Sequence, residues 1–201
     1  QGTGDSITPL YIATKKSHWD IVMTLLDKGA DPNQVMTSKG ETLLSIAIQM
    51  GNLEIVKKLL DKGANPNHTM IRGATPLLVA ITNDHIEIVK ALLAKGANPN
   101  QGMIQGVTPL YLAVYNGQTQ MVNLLLDNGA QPNQVMPNTG EKILDIASKC
   151  GHFDIFQALV AKGASLIKSK RTASTAARLN QDNIEIQMEP TSSRRKHPFK
   201  K

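Results

Sequence analysis

A Gly-Ala pair returns five times along this chain in nearly constant phase, and that recurrence limits the fold more than any other feature. Gly29, Gly63, Gly96, Gly129 and Gly163 stand 34, 33, 33 and 34 residues apart, and each is followed by alanine. A second landmark keeps the same beat: Thr8, Thr42, Thr75 and Thr108 open the segments TPLYIA, TLLSIA, TPLLVA and TPLYLA. A fifth copy, KILDIA at residues 142–147, has neither the threonine nor the proline. Fixed self-similarity at this length belongs to stacked repeat units, each too small to bury an apolar face alone.

Each unit reads as a pair of helices. Threonine caps the first, and proline occupies its first turn, where the missing N–H costs nothing. The first helix ends near a small residue such as Gly51 or Gly117. The second carries an apolar series at helical spacing, Ile55, Val56, Leu59 and Leu60, repeated as Ile88, Val89, Leu92 and Leu93. Gly-Ala closes it, glycine supplying the left-handed backbone. Asp-Pro-Asn or Asn-Pro-Asn then forces an extended exit into a turn, or finger, around Gly40, Gly73, Gly106 and Gly140.

The pattern resembles the ankyrin repeat, with its period of about 33 residues, its T-P-L-H-x-A helix start and its Gly-Ala-Asp exit. The resemblance covers roughly residues 5–166 and implies an all-α fold, an ankyrin-repeat α-solenoid of five helix-turn-helix repeats plus a degenerate C-terminal cap. The family histidine is replaced here by Tyr11, Ser45, Leu78, Tyr111 and Asp145. Repeats two and five carry one extra residue between Asn33 and Gly40 and between Asn133 and Gly140, compared with Asn67 to Gly73. Repeat boundaries fall at about 5–35, 36–69, 70–102, 103–135 and 136–168. TASTAAR at 172–178 matches a final helix of the family, and 169–188 is read as a partial cap. Residues 1–4 read as a lead-in left by tag removal, and 189–201 as a basic flexible tail.

Aromatics make up only 3% of the 201 residues, so leucine, isoleucine, valine, alanine and methionine must build the core. No apolar run approaches the roughly 20 residues of a membrane span, and no signal-peptide pattern opens the chain. A single cysteine, Cys150, cannot form an internal disulfide, which favours a reducing setting: cytoplasm or nucleus, or the host-cell cytosol or nucleus for a secreted effector. The net charge of +6 is local. Residues 1–167 hold 13 Lys/Arg and 13 Asp/Glu, whereas 168–201 hold nine Lys/Arg against Asp182, Glu185 and Glu189.

Catalytic chemistry finds little support. His18, His85 and His152 recur at 67-residue steps, which the family's Gly-His position explains and which holds them far apart. No Cys/His cluster has metal-ligand spacing and no glycine-rich phosphate loop precedes a helix, so no cofactor is expected. Cys150 has no base tied to it by sequence.

The fingers are less ordinary. Met36, Met70, Met103 and Met136 share one position in the turn between units. Two readings are open: they pack finger on finger, or they line an apolar groove, a role suited to an unbranched, polarisable side chain. Ile71, Ile104 and Val107 flank them, and a solvated turn needs none of these. In the ankyrin family the concave face, made of fingers and first helices, binds partners. Carried over position by position, this implies Met70, Ile71, Arg72, Met103, Ile104, Gln105 and Val107 from the fingers. It also implies Met50, Leu78, Tyr111, Tyr115, Asn116 and Lys149 from the first helices, with Tyr11, Lys15, Lys16, Ser45, Gln49, Thr82, Asn83 and Asp145 completing the row. The centre of that set is apolar and aromatic and its ends are charged, as in a protein-binding surface. The expected function is a monomeric, non-catalytic protein–protein interaction module.

Two other classes stay open. The repeats could be the targeting arm of a larger enzyme or host-directed bacterial effector. They could also belong to a nuclear regulator whose basic tail, Arg194, Arg195, Lys196, Lys200 and Lys201, meets an import receptor or another anionic partner. The plainer reading of that tail is a solubilising end. Phe199 is its one aromatic, so base stacking on it is not expected.

Overall fold

A computed structural model describes residues 8–165 apart from residue 138. The expected cap at 169–188 and the tail residues Arg194, Arg195, Lys196, Lys200 and Lys201 lie outside the described residues, as does the lead-in at 1–4. Among the described residues ten α-helices follow one another in pairs: α1 (Pro9–Lys15) and α2 (Trp19–Asp27), α3 (Leu43–Gln49) and α4 (Leu53–Asp61), α5 (Pro76–Thr82) and α6 (Ile86–Ala94), α7 (Pro109–Tyr115) and α8 (Thr119–Asp127), α9 (Ile143–Lys149) and α10 (Phe153–Ala161). Pairing gives one α-solenoid of five repeats: each first helix packs on its own second helix, and α3 packs on α5, α5 on α7 and α7 on α9. At seven to nine residues, none of these helices is long enough to persist alone in water, so tertiary packing must hold them.

The helix ends follow the sequence closely. Thr8, Thr75 and Thr108 accept, through their side-chain oxygens, the backbone N–H groups of Tyr11 (3.2 Å), Leu78 (3.3 Å) and Tyr111 (3.1 Å). Thr42 forms a reciprocal capping box with Ser45. In the fifth repeat Lys142 cannot cap, and Asp145 reaches back instead to accept the Lys142 N–H at 3.4 Å. At the far end, Ala64 N–H donates to Leu59 O (3.0 Å) and Gly63 N–H to Leu60 O (3.1 Å), with Gly63 at φ +87°. This six-to-one and five-to-two pair needs a left-handed residue followed by a small apolar one, and Ala64 is indeed buried against the helix. The Gly-Ala repeat is therefore a helix terminator whose alanine joins the core.

The core runs through the stack without a break. Leu10, Leu44, Leu77, Leu110 and Leu144 occupy one buried position of the first helices, and Ala13, Ala47, Ala80, Ala113 and Ala147 another. Small residues at the second position let helices approach closely. The second helices bury Ile55, Ile88, Met121 and Ile155 to 6% exposure or less, whereas their equivalent Ile21 in the first repeat is 52% exposed.

Successive repeats are also joined by an asparagine ladder. Asn67 donates its side-chain amide to Gly96 O (2.9 Å) and accepts the Asn98 N–H (2.7 Å). Asn33 makes the matching bonds to Gly63 O and Asn65 N–H, and Asn100 to Gly129 O and Gln131 N–H. Asn133 completes the series with Gly163 O and the Ser165 N–H. Each asparagine thus ties the turn of one repeat to the helix end of the next.

Candidate partner-binding surface

Every finger is closed by its methionine. The N–H of Met36 donates to Glu41 O (2.7 Å), Met70 to Ala74 O (2.8 Å), Met103 to Val107 O (2.9 Å) and Met136 to Glu141 O (2.8 Å). The extra residue in repeats two and five is taken up inside this loop, and those two fingers gain an antiparallel bridge, Val35 with Thr42 and Val135 with Lys142. In the shorter third finger, residues Ile71–Gly73 form a 3-10 turn instead.

The fingers are joined to one another through the main chain. Ile71 N–H donates to Lys39 O (2.9 Å) and Ile104 N–H to Arg72 O (3.0 Å). Glycine is required where they meet: Gly73 sits at φ +79°, and a Cβ there would lie 3.2 Å from the Ile104 nitrogen. The corresponding residue of the fifth finger is Pro137, which has no N–H to donate, and its ring lies over Gly106.

These bonds decide which residues of the row a partner could touch. Ile104 is 83% exposed, Ile71 60% and Tyr115 58%, large apolar side chains held out on hydrogen-bonded backbone. Arg72, Gln105, Asn116 and Met50 are exposed as well, and Met50 and Asn116 are the C-cap residues of α3 and α7. Tyr111 is half-buried and packs on the core, and its ring stacks on that of Tyr115 at 6.0 Å and 14°. Val107 is half-buried against the same core. Lys149 is exposed and forms an ion pair with Glu141.

Met70 and Leu78 are the corrections. Both are buried, so they offer a partner almost no side-chain surface. Met36 and Met136 are buried too, and Met103 is half-buried. The methionine column is thus directed inward by the finger it closes, while the residue after it in fingers three and four, Ile71 or Ile104, is directed outward. The sequence signal for that division was present in the one-residue offset between the two columns, but a turn has no helical or strand period to say which member points inward.

Charge is unevenly shared between the two sides of the stack. Fingers and first helices carry Lys15, Lys16, Lys39, Arg72, Lys142 and Lys149 against Glu41, Glu141 and Asp145. Second helices and the turns around them hold seven lysines and nine carboxylates. Five ion pairs lie on that second side: Lys58–Glu54, Lys62–Asp27, Lys90–Glu87, Lys95–Asp61 and Lys162–Asp127. The hydrogen bond and charge of Lys58 hold the Glu54 carboxyl below its usual range.

Groups considered for chemistry are dispersed. His18, His85 and His152 occupy the N-cap positions of α2, α6 and α10. The His85 ring fills the space beside Gly51 of the preceding repeat, and His152 does the same beside Gly117. Cys150 is exposed at the end of α9. Among the described residues no three His, Cys, Asp or Glu side chains come together in a way that could hold a metal, and no helix is long and apolar enough to cross a membrane.

Comparison with protein families matches a model described as ankyrin repeats (3 copies) at residues 1–70, 25–103, 67–136 and 102–170, overlapping matches that together span the repeats. No curated protein matches the chain at a significant level.

Proposed function

Since the chain belongs to the ankyrin-repeat family, whose repeats are in general non-catalytic protein–protein interaction modules, we propose that it binds a partner polypeptide on the face formed by its fingers and first helices, the concave side in this family. The observation that supports this reading is the row of outward apolar groups on hydrogen-bonded backbone: Ile71, Ile104 and Tyr115, with Arg72, Gln105, Asn116 and Met50 around them. Exposed large side chains held in place lose little entropy on binding, and an apolar centre with a polar rim is how such surfaces concentrate affinity. Lys149, already held by Glu141, marks the fifth-repeat edge of that rim.

Ile104→Asp and Tyr115→Ala test the reading. Each should weaken capture of partners from a cell extract by about tenfold or more while helical content and melting temperature stay near those of the parent. Capture unchanged by both substitutions would overturn the proposal, and equal loss of fold and capture would assign the two residues to packing.

A further inference from the structure

We infer that the occupant of this face is an extended acidic peptide, its carboxylates lying over the tips of fingers two and three and an aliphatic or aromatic side chain over Ile104 and Tyr115. The inference rests on the binding reading above and adds the chemistry and the direction of the ligand.

Four exposed cations on this face lack a carboxylate partner among the described residues: Lys15, which lies over the Tyr11 ring at 5.7 Å, and Lys16 at the end of α1, Lys39 on finger two and Arg72 on finger three; a fifth, Lys142 in repeat five, is half-buried. The carboxylates that share the face are engaged elsewhere. Glu41 accepts from the Thr37 hydroxyl (3.0 Å) and the Gln49 amide (3.0 Å), Glu141 is paired with Lys149, and Asp145 is turned to the Lys142 N–H. Cations left unpaired on one side of a molecule whose other side is laced with ion pairs create a field that draws and orients a negative partner.

The arrangement along the stack is also polar. The exposed unpaired cations lie in repeats one to three, while the most exposed isoleucine and the exposed tyrosine both lie in repeat four. Packed helices stand about 8–10 Å apart, and an extended chain advances about 3.3 Å per residue. Every third residue of an extended peptide therefore meets a new finger, and about ten residues would span the four repeats. A single-stranded nucleic acid fits less well. Tyr115 is the one exposed aromatic among the described residues, and isoleucines occupy the places where bases would stack.

Selection from a displayed library of random peptides of about ten residues tests this directly. The expected result is a consensus with aspartate and glutamate on one side of a large apolar residue. Affinity of the selected peptides should fall about tenfold or more for Lys39→Glu combined with Arg72→Glu, and should weaken as salt is raised for the unaltered protein. The salt series reads the charge contribution even if the double variant folds poorly. A neutral or basic consensus, affinity indifferent to salt, enrichment of nothing, or tighter binding of a single-stranded oligonucleotide would each overturn the inference. Neutral peptides that Ile104→Asp abolishes would leave the binding reading standing while removing the acidic partner. Peptides indifferent to both Ile104→Asp and Tyr115→Ala would remove the binding reading itself.

Discussion

Arg72 stands at a fingertip with φ +60°, a left-handed backbone that costs a side-chain-bearing residue about 1–2 kcal/mol relative to its ordinary conformation. Glycine carries no such cost, so Arg72→Gly should leave stability unchanged or raise it by up to about 1 kcal/mol, measured by urea titration. It would at the same time remove an unpaired cation from the proposed binding face, separating stability from recognition at one site. Gly73→Ala should act in the opposite sense. The new Cβ would meet the Ile104 nitrogen at 3.2 Å on a backbone with φ +79°, lowering stability by about 1–2 kcal/mol. At this scale the sequence was only partly legible. Ile71, Ile104 and Tyr115 were recognisable as out of place in a solvated turn or at a helix end, and they are exposed. Met70 and Leu78 were not separable from them, because burial there depends on how the finger closes.

At the scale of the element, the capping threonines and the Gly-Ala terminators were legible because their chemistry is local: a hydroxyl three residues from an N–H, or a left-handed glycine. By sequence alone the asparagines that follow the Pro of each exit read only as turn formers. Their bonds reach about thirty residues ahead, beyond any local rule, yet their beat at positions 33, 67, 100 and 133 matches that of the glycines they grip. Asn67→Ala removes both the acceptor for Asn98 N–H and the donor to Gly96 O. The cost should be about 1 kcal/mol, at the lower end for orphaned backbone groups because water reaches them. Asn67→Asp keeps the acceptor and should lose less. Amide hydrogen exchange at Asn98 would show the bond opening in the alanine variant first.

For the whole molecule, the sequence period alone indicated five stacked pairs, since chance does not keep two motifs in phase over that length. It did not indicate that one repeat position would be buried in four repeats and exposed in another. Ile21 and Ile88 occupy one repeat position, yet Ile21 is 52% exposed and Ile88 2%. Ile88→Lys would bury an ammonium between repeats and should destabilise the fold by about 3 kcal/mol or more. Ile21→Lys should change stability by less than about 0.5 kcal/mol, and thermal unfolding of the two variants side by side checks the contrast. Pro137 has a bearing on how the assembled row responds to a load. Tension applied along the tips passes from the fourth to the third to the second through amide links, but the cyclic residue interrupts that relay, so between the fourth tip and the fifth the load falls on the contact of the Pro137 ring with Gly106.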